Sequence, residues 1–370
     1  MTDLELKKTL LTCPGDSIQE HIDAVGMSQA ELAERLGRSV PKLNELIRGK
    51  APITKETAAR LEFVLGVPAS FWLNLERQYQ DELFEIEQME FLEQCKTWVQ
   101  GFPLPELRKL KVVSDTRDKK RLAADLLKFF RVASPTEWST IYEGSSIAFK
   151  IELKYTTEPK AISSWLRLGE LQAEHLEIKP FDKSILKTSL SKIQEISYQH
   201  SDTWMQDLQE VCASFGVALV YTPCISKAPI YGASRWIKNK TVPLIQVTDR
   251  RKDYNAFWFT FFHELAHIRY HNKSDIFIDG VEEISPDKNK EDEADAFASR
   301  MLLSDKDRRL LADFPKFSVD LVKQLSKQLK KHPGIIVAQM QREGRIDYKD
   351  LQMTKLKVKV RIGQTMVGPL

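Results

Sequence analysis

Cysteine is scarce in this chain, and its scarcity narrows the classes of protein that the sequence can represent. The 370 residues contain four cysteines, none of which belongs to a CxxC pair. They are Cys13, Cys95, Cys212 and Cys224. We therefore expect neither a disulfide scaffold nor a cysteine-ligated zinc module, and we place the protein in a reducing cytoplasm.

Glycine, proline and long apolar runs are also poorly represented. The 15 glycines and 16 prolines are too few for a fibrous or low-complexity protein. No run of about 18 uncharged apolar residues is present, which predicts a protein without a membrane span. The first ten residues, MTDLELKKTL, lack the apolar core of a secretory signal, so we expect a cytoplasmic location.

Neither sign of charge is in large excess. Lys and Arg total 55 against 52 Asp and Glu, which gives a net charge of +3. This balance excludes a protein that coats nucleic acid over its whole surface, but it allows a local DNA-binding surface. At roughly 150 residues per domain, the length predicts two to three domains.

Residues 16–80 are predicted to form a series of short helices. Ser28 is a predicted N-cap, with Glu31 at the capping-box spacing, and Gly37 ends this helix. Its apolar face consists of Leu32, Ala33 and Leu36. A second helix begins near Ser39 and stops at Gly49. A third runs from about residue 54 to 65, and a fourth begins near residue 68.

Two helices joined by a tight turn can place the second helix in a DNA major groove. We predict contacts with base edges or phosphates from Ser39, Lys42 and Asn44, and contacts with the DNA backbone from Gln29, Arg38, Arg48 and Lys50. Residues 1–80 carry ten basic and eleven acidic side chains, a poor balance for strong non-specific binding. The alternative is a helix-turn-helix that makes only protein contacts.

Beyond residue 80 the pattern stays helical to about residue 200 and then changes. Residues 81–200 carry no recognisable motif, and we interpret them as a helical middle or linker region. A helix, three β-like runs (VALVYTP, PIYGASRWI and VPLIQVT) and two further helices follow. This order predicts an α+β domain at 201–350. Residues 351–370, which include KLKVKVRIG, are predicted to form a basic edge strand or a flexible tail.

The strongest chemical signal is the HExxH motif formed by His263, Glu264 and His267. Histidines four residues apart lie on one face of a helix and can direct both imidazoles at one metal ion. A zinc ion held by three protein ligands lowers the pKa of a bound water to about 7, and Glu264 can take the proton as the catalytic base. The flanking residues are almost all apolar, and burying these polar groups without a partner would be costly.

A third ligand is expected from the later segment EDEADAFASRMLL. Glu291 can bind zinc, while Asp295, one turn further on, accepts a hydrogen bond from a ligand histidine. Glu293 remains an alternative ligand. His271 continues the spacing from His267 as a further ligand, a transition-state donor, or a surface or supporting residue. Predicted oxyanion donors are Tyr231, Arg235 and Tyr254.

The segments FWFTFFHELAHIRYH, EDEADAFASRMLLS, GASRWI, VPLIQVT and HPGIIVAQMQREGRI resemble the ImmA/IrrE family of zinc metallopeptidases over residues 200–350. The resemblance implies a compact zincin-like fold, with His263, His267 and Glu291 on zinc and Glu264 as base. Asp295 stands where asparagine is also common in the family. Members of this family act on DNA-binding repressor proteins of bacteria or phage.

Residues 16–75 resemble antitoxins of the HigA type in the XRE helix-turn-helix group, from MSQAELAERLGRSVPKLNELIRGK to the segment ending in LERQY. Together the two resemblances imply a multidomain protein. Its all-α helix-turn-helix domain at 1–80 and helical middle region precede an α+β zincin-like domain.

Two functions follow from these features. In the first, the protein is a transcriptional regulator that binds double-stranded operator DNA, as a homodimer by default, and uses Zn²⁺ to cleave a regulatory protein such as a repressor or antitoxin. In the second, it is a HigA-like antitoxin or repressor that binds DNA and a toxin partner, with the peptidase fold as a sensor or scaffold. Self-cleavage within 81–200 is a further hypothesis.

Overall fold

The structure is a computed structural model that describes residues 3–143, 158–279 and 288–362. The chain divides into two compact units, Met1–Thr97 and Trp98–Leu370. Within the described residues, none of the helices is both long enough and apolar enough to cross a bilayer.

The described residues of the first unit form helices and the loops that connect them. Its helices are α1 (Asp3–Leu10), α2 (Pro14–Ala24), α3 (Gln29–Leu36), α4 (Val40–Ile47), α5 (Lys55–Leu65) and α6 (Ala69–Gln94), followed by a 3₁₀ turn at Cys95–Thr97. Buried aliphatic side chains from α2 to α5 pack around Trp72 of α6. This unit therefore has its own hydrophobic core.

The predicted ends of α3 are confirmed, with one change at the N-terminus. The Ser28 hydroxyl accepts the Glu31 amide at 3.1 Å, and Gly37 closes the helix in the left-handed conformation (φ 65°). The Glu31 carboxylate instead accepts a hydrogen bond from Arg35, one turn later, at 2.6 Å. The predicted capping box is therefore present only as the serine cap.

The predicted domain boundary at residue 80 falls inside α6. No glycine or proline interrupts residues 69–94, so the helix continues unbroken to Gln94. The first compact unit accordingly extends to Thr97.

The second unit begins with helices and continues into a mixed α/β region. The helices before the sheet are α7 (Leu104–Lys109), α8 (Lys119–Phe130), α9 (Pro135–Tyr142), α10 (Pro159–Glu174), α11 (Lys183–Gln199) and α12 (Trp204–Ser214). The strands are β1 (Ala218–Tyr221), β2 (Gly232–Ile237), β3 (Val242–Val247) and β4 (Phe277–Asp279). The remaining helices are α13 (Tyr254–Tyr270), α14 (Lys288–Leu302), α15 (Asp305–Ala312), α16 (Val319–Leu329), α17 (Pro333–Arg342) and α18 (Leu351–Thr354).

Within the described residues, four strands form one sheet in the order β1-β3-β2-β4. β1 runs parallel to β3, whereas β2 is antiparallel to both β3 and β4. The three predicted strands are confirmed, and β4 is an addition. Helix α13 packs on one face of the sheet in the largest hydrophobic core, and α10 packs on the other side, against β1 and β3.

In residues 355–362, the described end of the basic C-terminal segment, the chain forms neither the predicted edge strand nor a flexible tail. Residues 355–362 do not join the sheet. The Tyr254 amide donates to the Val358 carbonyl at 3.1 Å, and the Val360 amide donates to the Lys252 carbonyl at 3.2 Å. Val360 and Ile362 are buried, so apolar side chains alternating with exposed cations fix this segment on the protein. Residues 363–370 of the predicted tail lie outside the described residues.

Candidate functional site

The HExxH motif lies in the middle of α13, which is buried on nearly every side. The helix begins where the Asp253 carboxylate accepts the Ala256 amide at 2.9 Å, and it ends after Tyr270. His263, Glu264 and His267 are all buried within it. Because most of the other residues of the helix are apolar, these three side chains are polar groups inserted into a hydrophobic core.

The two motif histidines and Glu291 of α14 bring three potential ligand atoms together. The Nε2 atoms of His263 and His267 lie 2.9 Å apart. The Glu291 carboxylate is 3.0 Å from Nε2 of His263 and 3.7 Å from Nε2 of His267. Ligands about 2 Å from a tetrahedral zinc ion lie roughly 3.3 Å from one another, so this nitrogen and oxygen set fits zinc.

Each of the two histidines has a second partner at its other ring nitrogen. Nδ1 of His263 lies 2.8 Å from the Asp295 carboxylate, and Nδ1 of His267 lies 2.8 Å from Nδ1 of His271. Glu293, in turn, lies 3.2 Å from Nε2 of His271. Glu291 therefore joins the histidine pair, whereas Glu293 contacts the outer histidine.

Glu264 is fully buried beside β2. One carboxylate oxygen accepts the Ser234 hydroxyl at 2.5 Å. The other, Oε1, has no hydrogen-bond partner among the described residues. Gly232 leaves space there, because a Cβ atom at that position would lie 2.9 Å from Oε1 and 2.5 Å from Thr260. Glu264 thus has one anchored oxygen and one free to bind another group.

The pKa values of Glu264, His263 and Glu291 are shifted in different directions by their surroundings. Burial raises the pKa of Glu264 to about 8, a shift that nearby His263 partly offsets. Burial alone would lower the pKa of His263, but its hydrogen bonds to Asp295 and Glu291 raise it to about 10. Burial also opposes ionisation of Glu291, yet contact with the two histidines lowers its pKa to about 2. Without a metal ion, positive charge in this cluster therefore belongs on His263, beside the Glu291 carboxylate.

The predicted DNA-contacting residues lie on and around α4 in the first unit. Ser39, Lys42, Arg48 and Lys50 are exposed, and Asn44 is half-buried. Arg38 donates to the Thr57 hydroxyl of α5, and Gln29 donates to Gln19 at 2.6 Å. The exposed set offers three cations around one short helix, while Arg38 and Gln29 also connect helices of the unit.

Comparison with known proteins identifies one domain in each of the two units. Residues 18–72 match the helix-turn-helix family, and residues 212–339 match a peptidase family described as the IrrE N-terminal-like domain. The chain joins a helix-turn-helix regulator domain to an IrrE N-terminal-like peptidase domain. The combination predicted from the sequence is thereby confirmed.

Two curated relatives resemble a short part of the chain. An uncharacterized HTH-type transcriptional regulator, YddM of Escherichia coli (strain K12), is 36% identical over 66 residues, which span 18% of this chain and 70% of the relative. Virulence-associated protein I of Dichelobacter nodosus is 34% identical over 73 residues, which span 20% of this chain and 68% of the relative. The first of these matches supports membership of the helix-turn-helix regulators.

Two of the three predicted oxyanion donors of the IrrE N-terminal-like domain have other hydrogen-bond partners in the second unit. Tyr254 is buried, and its hydroxyl donates to the Ser197 carbonyl at 2.9 Å. Arg235 donates to Gln246 and to the Leu166 carbonyl of α10. Tyr231 lies beneath the guanidinium of Arg251, at 3.9 Å from the ring centroid. Buried donors of this kind satisfy polar groups of neighbouring elements, so Tyr254 and Arg235 have structural partners, and their role as oxyanion donors stays a prediction.

Ser234 and Phe277 are two site residues of the same domain that the sequence interpretation missed. They are directly opposite each other on β2 and β4. Ser234 contacts Glu264, and the Phe277 ring stacks on His267 with 3.7 Å between centroids. The alternation of β2 could have indicated Ser234, since it lies two residues from Gly232 on the same face. Phe277 lies on a strand of only three residues, which leaves no periodic pattern.

Proposed function

We propose that this protein is a cytoplasmic transcriptional regulator that binds operator DNA and hydrolyses a peptide bond in a regulatory protein, with zinc as its cofactor. The observation that carries the peptidase proposal is the arrangement around Glu264. A buried carboxylate with one unpartnered oxygen lies next to three converging ligand atoms. A scaffold has no need of such a carboxylate, which is costly to bury.

The proposed roles follow from the contacts of each side chain. His263, His267 and Glu291 would hold zinc, which when bound supplies Lewis-acid polarisation of a carbonyl oxygen. Glu264 takes a proton from the attacking water through its unpartnered oxygen and passes it to the leaving amine. The hydrogen bond from Ser234 fixes the orientation of that carboxylate.

Asp295 and His271 have supporting roles in this proposal. Each lies at the Nδ1 atom of one ligand histidine, and this leaves both Nε2 atoms for the metal. Partners of this kind fix the ring orientation and the tautomer.

The DNA-binding part of the proposal depends on the helix-turn-helix family and on the exposed cations around α4. Helix-turn-helix proteins bind two half-sites as symmetric dimers, so we propose a homodimer on the operator. A toxin partner would fit the HigA-like resemblance of this unit.

Glu264→Gln tests the peptidase proposal with little change in volume. We expect cleavage to fall by about 10²- to 10⁴-fold, because the amide cannot accept the proton. New protein N-termini would be mapped in a lysate of the source bacterium after incubation with zinc-loaded wild type or variant. Metal content should not change. Glu210→Gln removes the same charge from an exposed position on α12 and should cleave like wild type.

The same experiment separates the two hypotheses for the second unit. New N-termini that appear with wild type and with Glu210→Gln, but not with Glu264→Gln, support the peptidase. If none depends on Glu264 while zinc remains bound, the peptidase proposal fails. The scaffold or sensor hypothesis then explains the fold.

A further inference from the structure

A second cavity lies on the opposite side of β2 from Glu264. It has a volume of about 550 Å³ and is lined by α10 and by the hairpin between β2 and β3. Successive strand residues point to opposite faces. Ser234 accordingly contacts Glu264, whereas Arg235 donates to the Leu166 carbonyl of α10. The cavity is therefore distinct from the candidate metal centre.

Two buried arginines line this cavity, and neither has all of its hydrogen bonds satisfied. Arg167 donates from Nε to the Phe129 carbonyl at 2.8 Å and from Nη1 to Glu170 at 2.7 Å. Nη2 of Arg167 and Nε of Arg235 have no hydrogen-bond partner among the described residues, although both atoms are buried. A buried N–H without an acceptor costs about 1–3 kcal/mol.

The charges around the cavity leave a positive excess. Glu170 is occupied by Arg167, and Glu174 is held by both terminal nitrogens of Arg131, at 2.9 and 2.8 Å. Arg235 lies 3.7 Å from Glu170 and Nη2 of Arg167 lies 3.8 Å from Glu174, both beyond hydrogen-bond distance, so two carboxylates face three guanidinium groups. The carboxylates therefore do not neutralise all of the guanidinium charge.

The β2–β3 hairpin adds two further cations at the rim. Lys238 and Lys240 line the cavity and are exposed. Together with Asn239 they form three successive residues with positive φ, at 49°, 53° and 61°. This conformation is unfavourable for the two lysines, so the hairpin keeps its shape at some cost in free energy. The apolar part of the lining includes Ile237 and Ile276.

We propose that this cavity binds a small organic anion. A carboxylate or phosphate group would pair with Arg167 and Arg235, since planar guanidinium groups match both anions. Its apolar body would contact Ile237 and Ile276, and Lys238 and Lys240 would add attraction at the rim. The volume lies in the range of small-molecule sites. The proposal does not depend on peptidase activity.

Calorimetry on the full chain tests the site with four probes: phenyl phosphate, benzoate, inorganic phosphate and the neutral benzyl alcohol. We expect phenyl phosphate or benzoate to bind, benzyl alcohol to give no binding, and inorganic phosphate to bind more weakly than phenyl phosphate. The relative affinities of phenyl phosphate and benzoate identify which anionic group the site prefers. Anions that bind only at the metal centre are recognised by an affinity that pocket substitutions leave unchanged.

The decisive substitutions replace the exposed side chains of Lys238 and Lys240, so that folding is preserved, whereas Arg235 is buried. Lys238→Ala combined with Lys240→Ala should weaken binding at least about threefold, and Arg235→Gln should weaken it more than about tenfold. Lys187→Ala combined with Lys192→Ala removes the same charge from exposed positions on α11 and should have no effect. The proposal is overturned if no anion binds at up to about 10 mM, or if the Lys238 and Lys240 substitutions leave the affinity unchanged.

Discussion

The two units of this protein place their polar residues in opposite ways. Of the 19 buried polar or charged residues among the described part of the chain, only Thr57 belongs to the first unit. The candidate DNA-binding residues of that unit are exposed or half-buried, outside its aliphatic core. In the second unit, His263, Glu264 and His267 are inside the largest core.

This difference explains why chemistry could be inferred from one unit more readily than from the other. A buried carboxylate or imidazole needs a partner, and its presence in an apolar helix is therefore informative. An exposed lysine or asparagine is compatible with many functions or with none. Because each unit has its own hydrophobic core, a substitution in one unit should leave the function of the other unit intact.

The largest expected effect is the loss of zinc from His263→Ala. Removing a ligand should weaken zinc binding by more than about 100-fold, because removal of an outer partner alone costs 10- to 100-fold. Elemental analysis and competition with a chromogenic chelator would measure the loss. DNA binding by mobility shift should remain at the wild-type level.

His175→Ala is the matched control, since it removes an exposed histidine of α10's C-terminus outside the site. It should keep full zinc content. A His263→Ala protein that still carries one zinc ion would show that the metal lies elsewhere.

The converse substitution, Leu32→Ala, should damage only the first unit. Leu32 is fully buried in the aliphatic core, and truncation of such a residue costs about 2–5 kcal/mol of unfolding free energy. Hydrogen exchange should increase in peptides from residues 18–72, and DNA binding should weaken. Zinc content should not change.

Val25→Ala provides the comparison, because Val25 is 66% exposed in the same unit. Its effect should stay within about 0.5 kcal/mol. Loss of zinc together with DNA binding in Leu32→Ala would refute the independence of the two units.

Much of the fold was predictable, and the failures have physical reasons. The serine and glycine at the ends of α3 fix local backbone geometry, so a local pattern suffices to find them. The boundary predicted at residue 80 falls inside α6, although the absence of glycine and proline in residues 69–94 was a visible signal. β4 is stabilised by pairing with β2, which local sequence does not reveal.

In the candidate site, too, the features set by local sequence were predictable and those set by contacts between distant elements were not. Spacing within one helix predicted the convergence of His263 and His267, and the geometry now brings Glu291 to them. The contact of Phe277 with His267 and the space at Gly232 depend on how the sheet packs against α13. Such contacts arise between elements that are distant in sequence, and periodicity within one element cannot predict them.

Acid should destabilise the second unit through His332, a group away from the metal centre. Its Nδ1 accepts the Gly334 amide at the start of α17, so the ring must be neutral there. Burial, assisted by nearby His200, lowers the pKa of His332 to about 4. The unfolded chain, with a pKa near 6.5, then binds the proton more readily. Unfolding free energy should fall by up to about 3 kcal/mol as the pH drops from about 6.5 to 4.

Urea denaturation at several pH values, followed by hydrogen exchange in α17, would measure this dependence. His332→Asn keeps a cap acceptor that does not titrate, and it should flatten the profile relative to wild type. An unchanged profile would assign the acid sensitivity to other groups.

The smallest expected effect concerns the surface of the first unit. Lys42 is exposed on α4, and we expect it to contact a DNA phosphate. Lys42→Ala should weaken binding several-fold for every DNA sequence and reduce the slope of log affinity against log salt by about 1. Lys55→Ala, an exposed lysine at the start of α5, should leave that slope unchanged. If the two variants behave alike, Lys42 contributes only to the general charge of the unit. In that case α4 would resemble the rest of the exposed surface: the position of a lysine on this helix would not indicate a DNA contact, whereas the buried residues of α13 do indicate a metal site.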